Sequence, residues 1–122
     1  MTDHGDFSVH VTAGAAGEAV AFVSGEVDLA TTPELEQALL DAARRWSRLV
    51  VDLTGCTFLS STGLRALLEA DGQRGEGSQR IVLVAPDPHI RKVFEIAGVD
   101  AIFELVDHYD EPGLDAGSSA AF

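Results

Sequence analysis

Leu49-Val50-Val51-Asp52-Leu53-Thr54-Gly55-Cys56-Thr57-Phe58-Leu59-Ser60-Ser61-Thr62-Gly63-Leu64-Arg65-Ala66-Leu67-Leu68-Glu69-Ala70 is the stretch that decides the fold. Leu49 to Leu53 is nearly all apolar, the pattern of a central strand covered on both faces. Thr54-Gly55 reads as a turn, and Phe58-Leu59 as a short apolar step after it. The hydroxyl residues Ser60-Ser61-Thr62 then precede Gly63 and a helical apolar spacing at Leu64, Leu67 and Leu68. A strand therefore leads into a helix whose start is dense in hydroxyls. Such a start exposes unpaired backbone N–H groups and the positive end of the helix dipole, and it can hold a phosphate. The plainer reading is that one serine caps the helix. The stretch alone leaves both open.

The same logic extends outward. Phe7-Ser8-Val9-His10-Val11 alternates apolar and polar, as a half-buried strand does. Thr12 to Gly17 reads as a hairpin turn and Val20 to Val23 as the return strand. Ser24-Gly25-Glu26-Val27-Asp28-Leu29 reads as a loop. Thr32-Pro33-Glu34 is a helix start, with Thr32 as N-cap and Pro33 at the first helical position. Leu35, Ala38, Leu39, Ala42, Ala43 and Trp46 then form one apolar stripe. Arg44, Arg45 and Arg48 follow at its C-terminal end, either as a basic patch or as a complement to the dipole. The second helix is predicted from about Thr62 to Gln73, and Ile81 to Val84 as a further buried strand. Asp87-Pro88 opens a third helix, with Ile90, Val93, Phe94 and Ala97 on its apolar face and Gly98 closing it. Ala101 to Leu105 is a last short strand.

The order is β-β-α-β-α-β-α-β without an internal repeat. It predicts a single α/β domain over residues 1–109, with a mixed, mostly parallel sheet, an N-terminal hairpin and helices packed on the sheet. The strand-to-helix junctions should gather at one end of that sheet, where α/β proteins place their sites. Residues 110–122 are acidic and then rich in Gly, Ser and Ala, and are expected to be poorly ordered.

The chain has 122 residues, 20 acidic against 8 basic, and a net charge of −12. That charge argues against binding nucleic acid or anionic membrane surfaces. It suits a protein partner with a basic docking face. A single cysteine, Cys56, rules out an internal disulfide and reads as a small buried residue. No charged segment leads into an apolar one at the start, and no apolar run approaches a membrane span. A cytoplasmic protein without membrane insertion is the expectation.

Chemistry is sparse. His4, His10, His89 and His108 lack metal-ligand spacing, so no metal site is expected. No nucleotide-binding glycine loop is present, and no cofactor is implied. A serine-hydrolase elbow needs glycine two residues before and after its serine. Ser61 has Gly63 after it but Leu59 before it, so the motif fails and an enzyme is not expected. Asp28 and Glu26 could form an acid pair, but a lone loop Asp more often bonds local backbone. Asp52 should bond nearby N–H groups at its strand's end.

Four segments taken together resemble a known family. They are Gly25-Glu26-Val27-Asp28 followed by Thr32-Pro33; Val51-Asp52-Leu53-Thr54; Thr57-Phe58-Leu59-Ser60-Ser61-Thr62-Gly63-Leu64; and Ile90 to Gly98. The chain resembles the STAS domain, and more narrowly the bacterial anti-sigma factor antagonists (anti-anti-sigma factors), from about Phe7 to Val106. The resemblance implies partner switching in transcription regulation. An unphosphorylated antagonist binds an anti-sigma factor with serine kinase activity, phosphorylation ends the interaction, and a serine phosphatase restores it. It implies phosphorylation at Ser61, with Ser60 and Thr62 as lesser candidates. The implied partner face takes in Glu26, Asp28, Ser60, Ser61, Thr62, Gly63, Leu64 and Arg65. One departure stands out: Ser60 occupies a place where the family usually has Asp. Two other roles remain open for such a fold, a subunit of a membrane transport complex and a small-ligand-binding module.

Overall fold

A computed structural model describes residues 7–109 of the chain; the expected tail lies outside them. Five strands form one sheet in the order β1-β2-β3-β4-β5. They are β1 (Ser8–Ala13), β2 (Ala19–Val27), β3 (Leu49–Leu59), β4 (Val82–Val84) and β5 (Glu104–Val106). The hairpin pairs β1 with β2 antiparallel, from Ser8 opposite Ser24 to Ala13 opposite Ala19. The remaining pairings, β2 with β3, β3 with β4 and β4 with β5, are parallel. The helices α1 (Thr32–Arg45), α2 (Ser61–Gly72) and α3 (Pro88–Ala97) fill the connections.

Period-2 alternation sorts the sheet into two faces. Ala19, Ala21, Val23, Leu49, Val51, Leu53, Ile81 and Leu83 face the helices and meet Leu35, Leu39, Leu67, Ile90 and Phe94 in the main core. Val20, Val50, Val82 and Val84 form a smaller cluster on the opposite face, joined by Val106 and Tyr109. Phe94 and Phe103 meet edge to face in the main core, with ring centroids 6.2 Å apart.

Several boundaries differ from the sequence reading. The predicted loop at Ser24 is strand as far as Val27, and the predicted turn at Thr54-Gly55 is strand as far as Leu59. The two extensions pair with each other, through Ser24 with Gly55, Gly25 with Cys56, Glu26 with Phe58 and Val27 with Leu59. From Phe22/Asp52 to Ser24/Gly55, β3 advances one residue more than β2, and it does so again between Cys56 and Phe58. These bulges explain the misreading: β3 buries Leu53, Cys56 and Leu59, a spacing of three that breaks strand alternation. On β2, Gly25 answers with a left-handed φ of +87°, which a side chain would strain.

Thr32 is not the N-cap of α1 but its first residue; Thr31 stands at the cap. Thr31 makes no side-chain cap bond to α1; the Asp28 carboxylate instead braces the turn before the helix, accepting from the N–H groups of Ala30 and Thr31 at 3.0 Å each. On α1, Leu35, Leu39, Ala42 and Ala43 are buried, while Ala38 and Trp46 are only half-buried. On α3, Ala97 is exposed, and Val99 just past the helix is buried in its place. Asp87 caps α3 through the His89 N–H at 2.8 Å, and Gly98 closes it, as the sequence reading expects.

Candidate functional site

The parallel strands β2 and β3 end side by side, and each hands its chain to a helix. The Ser60 N–H donates to the Val27 carbonyl at 2.9 Å, joining the two junctions. Beyond β2, Asp28 and Thr31 hold a tight turn. The Thr31 hydroxyl accepts from the Asp28 N–H and donates to the Glu26 carbonyl, each at 2.9 Å. Asp28 therefore bonds local backbone, one of the two readings its sequence allowed. Asp52 likewise accepts from the Thr54 N–H at 2.9 Å, although its strand runs on past it.

Beyond β3, Ser60 is the N-cap of α2, and its hydroxyl accepts from the Gly63 N–H at 3.3 Å. Ser60 Oγ lies 2.8 Å from Thr62 Oγ1, and Thr62 Oγ1 lies 3.0 Å from Thr32 Oγ1 on α1. Thr32 Oγ1 donates to the Asp28 carbonyl at 2.7 Å. A hydroxyl has one proton to donate. Thr32 spends its proton on Asp28, so it must accept from Thr62; Thr62 in turn must accept from Ser60. The chain has one direction, Ser60 to Thr62 to Thr32 to the Asp28 carbonyl.

Ser61 stands apart. It is the first residue of α2, is exposed, and makes no side-chain hydrogen bond among the described residues. Gly63 is buried, and a Cβ there would fall 2.5 Å from Val27 Cγ1 and 2.8 Å from Leu59 Cδ1. Glycine lets the first turn of α2 press onto the strand ends and aims Ser61 outward. Leu64 is half-buried against the core, while Glu26 and Arg65 are exposed. The structure thus gathers the predicted residues at one end of the sheet, but it turns Gly63 inward and leaves Leu64 only partly exposed.

Some exposed residues of the flanking elements escape sequence reading. Leu29 is 76% exposed in the β2–α1 turn, and Phe58 is 49% exposed at the end of β3. Leu29, Thr32, Glu36, Thr62, Arg65 and Glu69 line a groove of about 230 Å³ between α1 and α2. Within it, a hydrogen bond to Glu69, some burial and the Glu69 charge push the Glu36 carboxyl up, and the Arg65 guanidinium opposes them. Their only sequence signal is weak: an apolar Leu29 inside a polar turn, and hydroxyls at both helix starts. Cys56 is buried near the same end, and burial pushes its thiol up. Among the described residues no group of His, Cys, Asp and Glu could hold a metal ion, and no helix is long and apolar enough to cross a membrane.

An α/β sheet with a capped, hydroxyl-rich helix start at the carboxyl ends of its parallel strands defines the class of protein. The family model described as "Mlab, STAS domain" matches residues 11–107. The anti-sigma-F factor antagonist RsfB of Mycobacterium tuberculosis is 35% identical over 90 residues, covering 73% of each chain. The anti-sigma-B factor antagonist of Listeria monocytogenes is 31% identical over 85 residues, covering 69% of this chain and 75% of the relative. The crystal structure of an anti-sigma factor antagonist from Mycobacterium paratuberculosis superposes with a TM-score of 0.76 at 28% identity, covering 100% of both chains. The chain belongs to the STAS-domain family and, within it, to the anti-sigma factor antagonists.

Proposed function

We propose that this protein is a phosphorylation-controlled binding protein of the cytoplasm, not an enzyme, and that Ser61 is its switch. Unphosphorylated, its Ser61 face binds an anti-sigma factor that is itself a serine kinase. The Ser61 oxygen bonds to the γ-phosphorus of the kinase's nucleoside triphosphate, and the bond to the bridging oxygen breaks. The hydroxyl proton passes to a base on the kinase, and the nucleoside diphosphate leaves. The phosphorylated face releases its partner, and a serine phosphatase restores it.

One observation carries this reading. Of the three adjacent hydroxyls, Ser60 and Thr62 are committed to the directed hydrogen-bond chain, and Ser61 alone is exposed and outside it. Its place at the start of α2 supports the rest. A phosphoserine carries roughly −1.5 to −2 charges, which the helix dipole and free N–H groups can accommodate, so the fold survives. The groove that starts at the neighbouring Thr62 carries Glu36, Glu69 and the exposed Leu29, and Phe58 is exposed at the end of β3. A partner seated on those apolar side chains would have to desolvate the added charge. A loss of about 1.4 kcal/mol already weakens binding tenfold.

The test uses wild type, Ser61→Ala and Ser61→Glu as baits in lysate of the native host. We expect a kinase-type anti-sigma factor on the first two and its loss from Ser61→Glu. Equal retention of transport-complex subunits by all three would assign Ser61 a structural role and overturn the reading.

A further inference from the structure

The hydroxyl chain does more than distinguish Ser61 from its neighbours. It ties the α2 start to the α1 start, because the Thr62–Thr32 bond spans two helices whose residues lie far apart in sequence. Its far end, the Asp28 carbonyl, also accepts from the N–H groups of Thr31 at 3.2 Å and Thr32 at 2.9 Å. The same turn carries Leu29, the apolar side chain that stands furthest into solvent beside the groove. Every proton in the chain is passed toward that turn.

A phosphate on Ser61 would place a dianion beside the donor end. Hydrogen bonds to a charged acceptor are roughly twice as strong as those between neutral groups. The Ser60 hydroxyl, which now donates to the neutral Thr62 oxygen, would turn to the phosphate. Thr62, freed of its donor, could then turn as well. Thr32 would lose the proton it accepts from α2, and the two helix starts would lose their side-chain link. We infer that Thr32 is a positioning residue: through Thr62 and Ser60 it transmits phosphorylation of Ser61 to the β2–α1 turn, so that the modification alters the Leu29 region as well as the charge at Ser61. This rests on Ser61 as the modified residue. It adds a route by which one phosphate disturbs both halves of the partner face.

The experiment installs phosphoserine at position 61 during translation, so its outcome is independent of whether a kinase acts there. Amide hydrogen exchange of the full chain is followed by NMR, with and without the phosphate, in wild type, Thr32→Ser and Thr32→Val. With the Thr62 bond lost, the Thr32 hydroxyl is anchored at one end only, and the turn around the Asp28 carbonyl that it bonds should open more often, raising exchange at Thr31 and Thr32 about two- to tenfold on phosphorylation, the factor that one neutral hydrogen bond is worth. We expect that rise in wild type and in Thr32→Ser, which keeps the hydroxyl, and no rise in Thr32→Val. Thr62→Val, which breaks the chain from the other helix, should also show none and serves if Thr32→Val does not fold. No rise in wild type, or an equal rise in the valine variants, would overturn the relay while leaving the Ser61 switch standing.

Discussion

Ser60 shows how a single side chain can hold several roles. Its oxygen caps α2, its proton starts the hydroxyl chain, and its backbone N–H fastens the helix start to β2. An Asp at this place, usual in the family, would serve as a cap but has no proton to give when ionised. Ser60→Ala is expected to cost about 0.5–2 kcal/mol, read as a lower urea midpoint with an unchanged slope. Gly63→Ala is expected to cost about 1–3 kcal/mol, because a methyl group would strike the stiff Val27 side chain as well as Leu59. That one serine caps α2 was legible in the sequence, since a cap depends on residues within one helical turn; which serine it is, Ser60, was not. The Thr32–Thr62 bond was not legible, because nothing local pairs two hydroxyls from different helices.

At the scale of the element, β3 separates what sequence periodicity can and cannot reveal. Its first half, Leu49 to Leu53, is nearly all apolar and buried, as a central strand covered on both faces should be. Its second half buries Leu53, Cys56 and Leu59 across two bulges, so the period-2 signal vanishes although the pairing with β2 continues. The helix start at Asp87-Pro88 was legible from its cap, while α2 starts at Ser61, one residue before the predicted Thr62. The start of α1 was misplaced by one residue because the Thr32 hydroxyl donates back to the Asp28 carbonyl rather than capping an N–H ahead of it. Burial of Cys56 has a measurable consequence. Its thiol is pushed up by burial and by the Asp87 charge, which together outweigh a backbone hydrogen bond at Phe58 that lowers it, so little thiolate forms near neutral pH. Native protein should react with a thiol reagent far more slowly than urea-unfolded protein, and equal rates would place Cys56 at the surface.

For the whole molecule, Glu18 and Tyr109 join the hairpin to the last described residues. Glu18 is buried in the β1–β2 turn, where its carboxylate accepts from the Tyr109 hydroxyl and the Ala16 N–H. Burial pushes the carboxyl up, but the hydrogen bonds from Tyr109 and from the backbone of Glu18 and Ala16, with the Arg48 charge, pull it further down. The net result lies below the ordinary value of 4.5. Its contribution to stability is complete above that value and fades as pH falls through the lower folded value. Tyr109→Phe should destabilise by about 1–3 kcal/mol near neutrality, and the gap to wild type should narrow in acid, both read from urea melts across pH. The mostly parallel sheet with its antiparallel hairpin and the gathering of junctions at one end followed from the alternation of strands and helices. The Glu18–Tyr109 contact did not, because no sequence pattern links a hairpin turn to a residue 91 positions away.

The central claim is that Ser61 is the modified hydroxyl because it alone lies outside the chain that holds Ser60 and Thr62. Incubation with ATP and the captured anti-sigma kinase, followed by fragmentation mass spectrometry, tests it most directly. One phosphate, located on Ser61 and absent from Ser61→Ala, is the result the account predicts. Phosphate on Ser60 or Thr62, or none on a chain that binds the kinase, would contradict it.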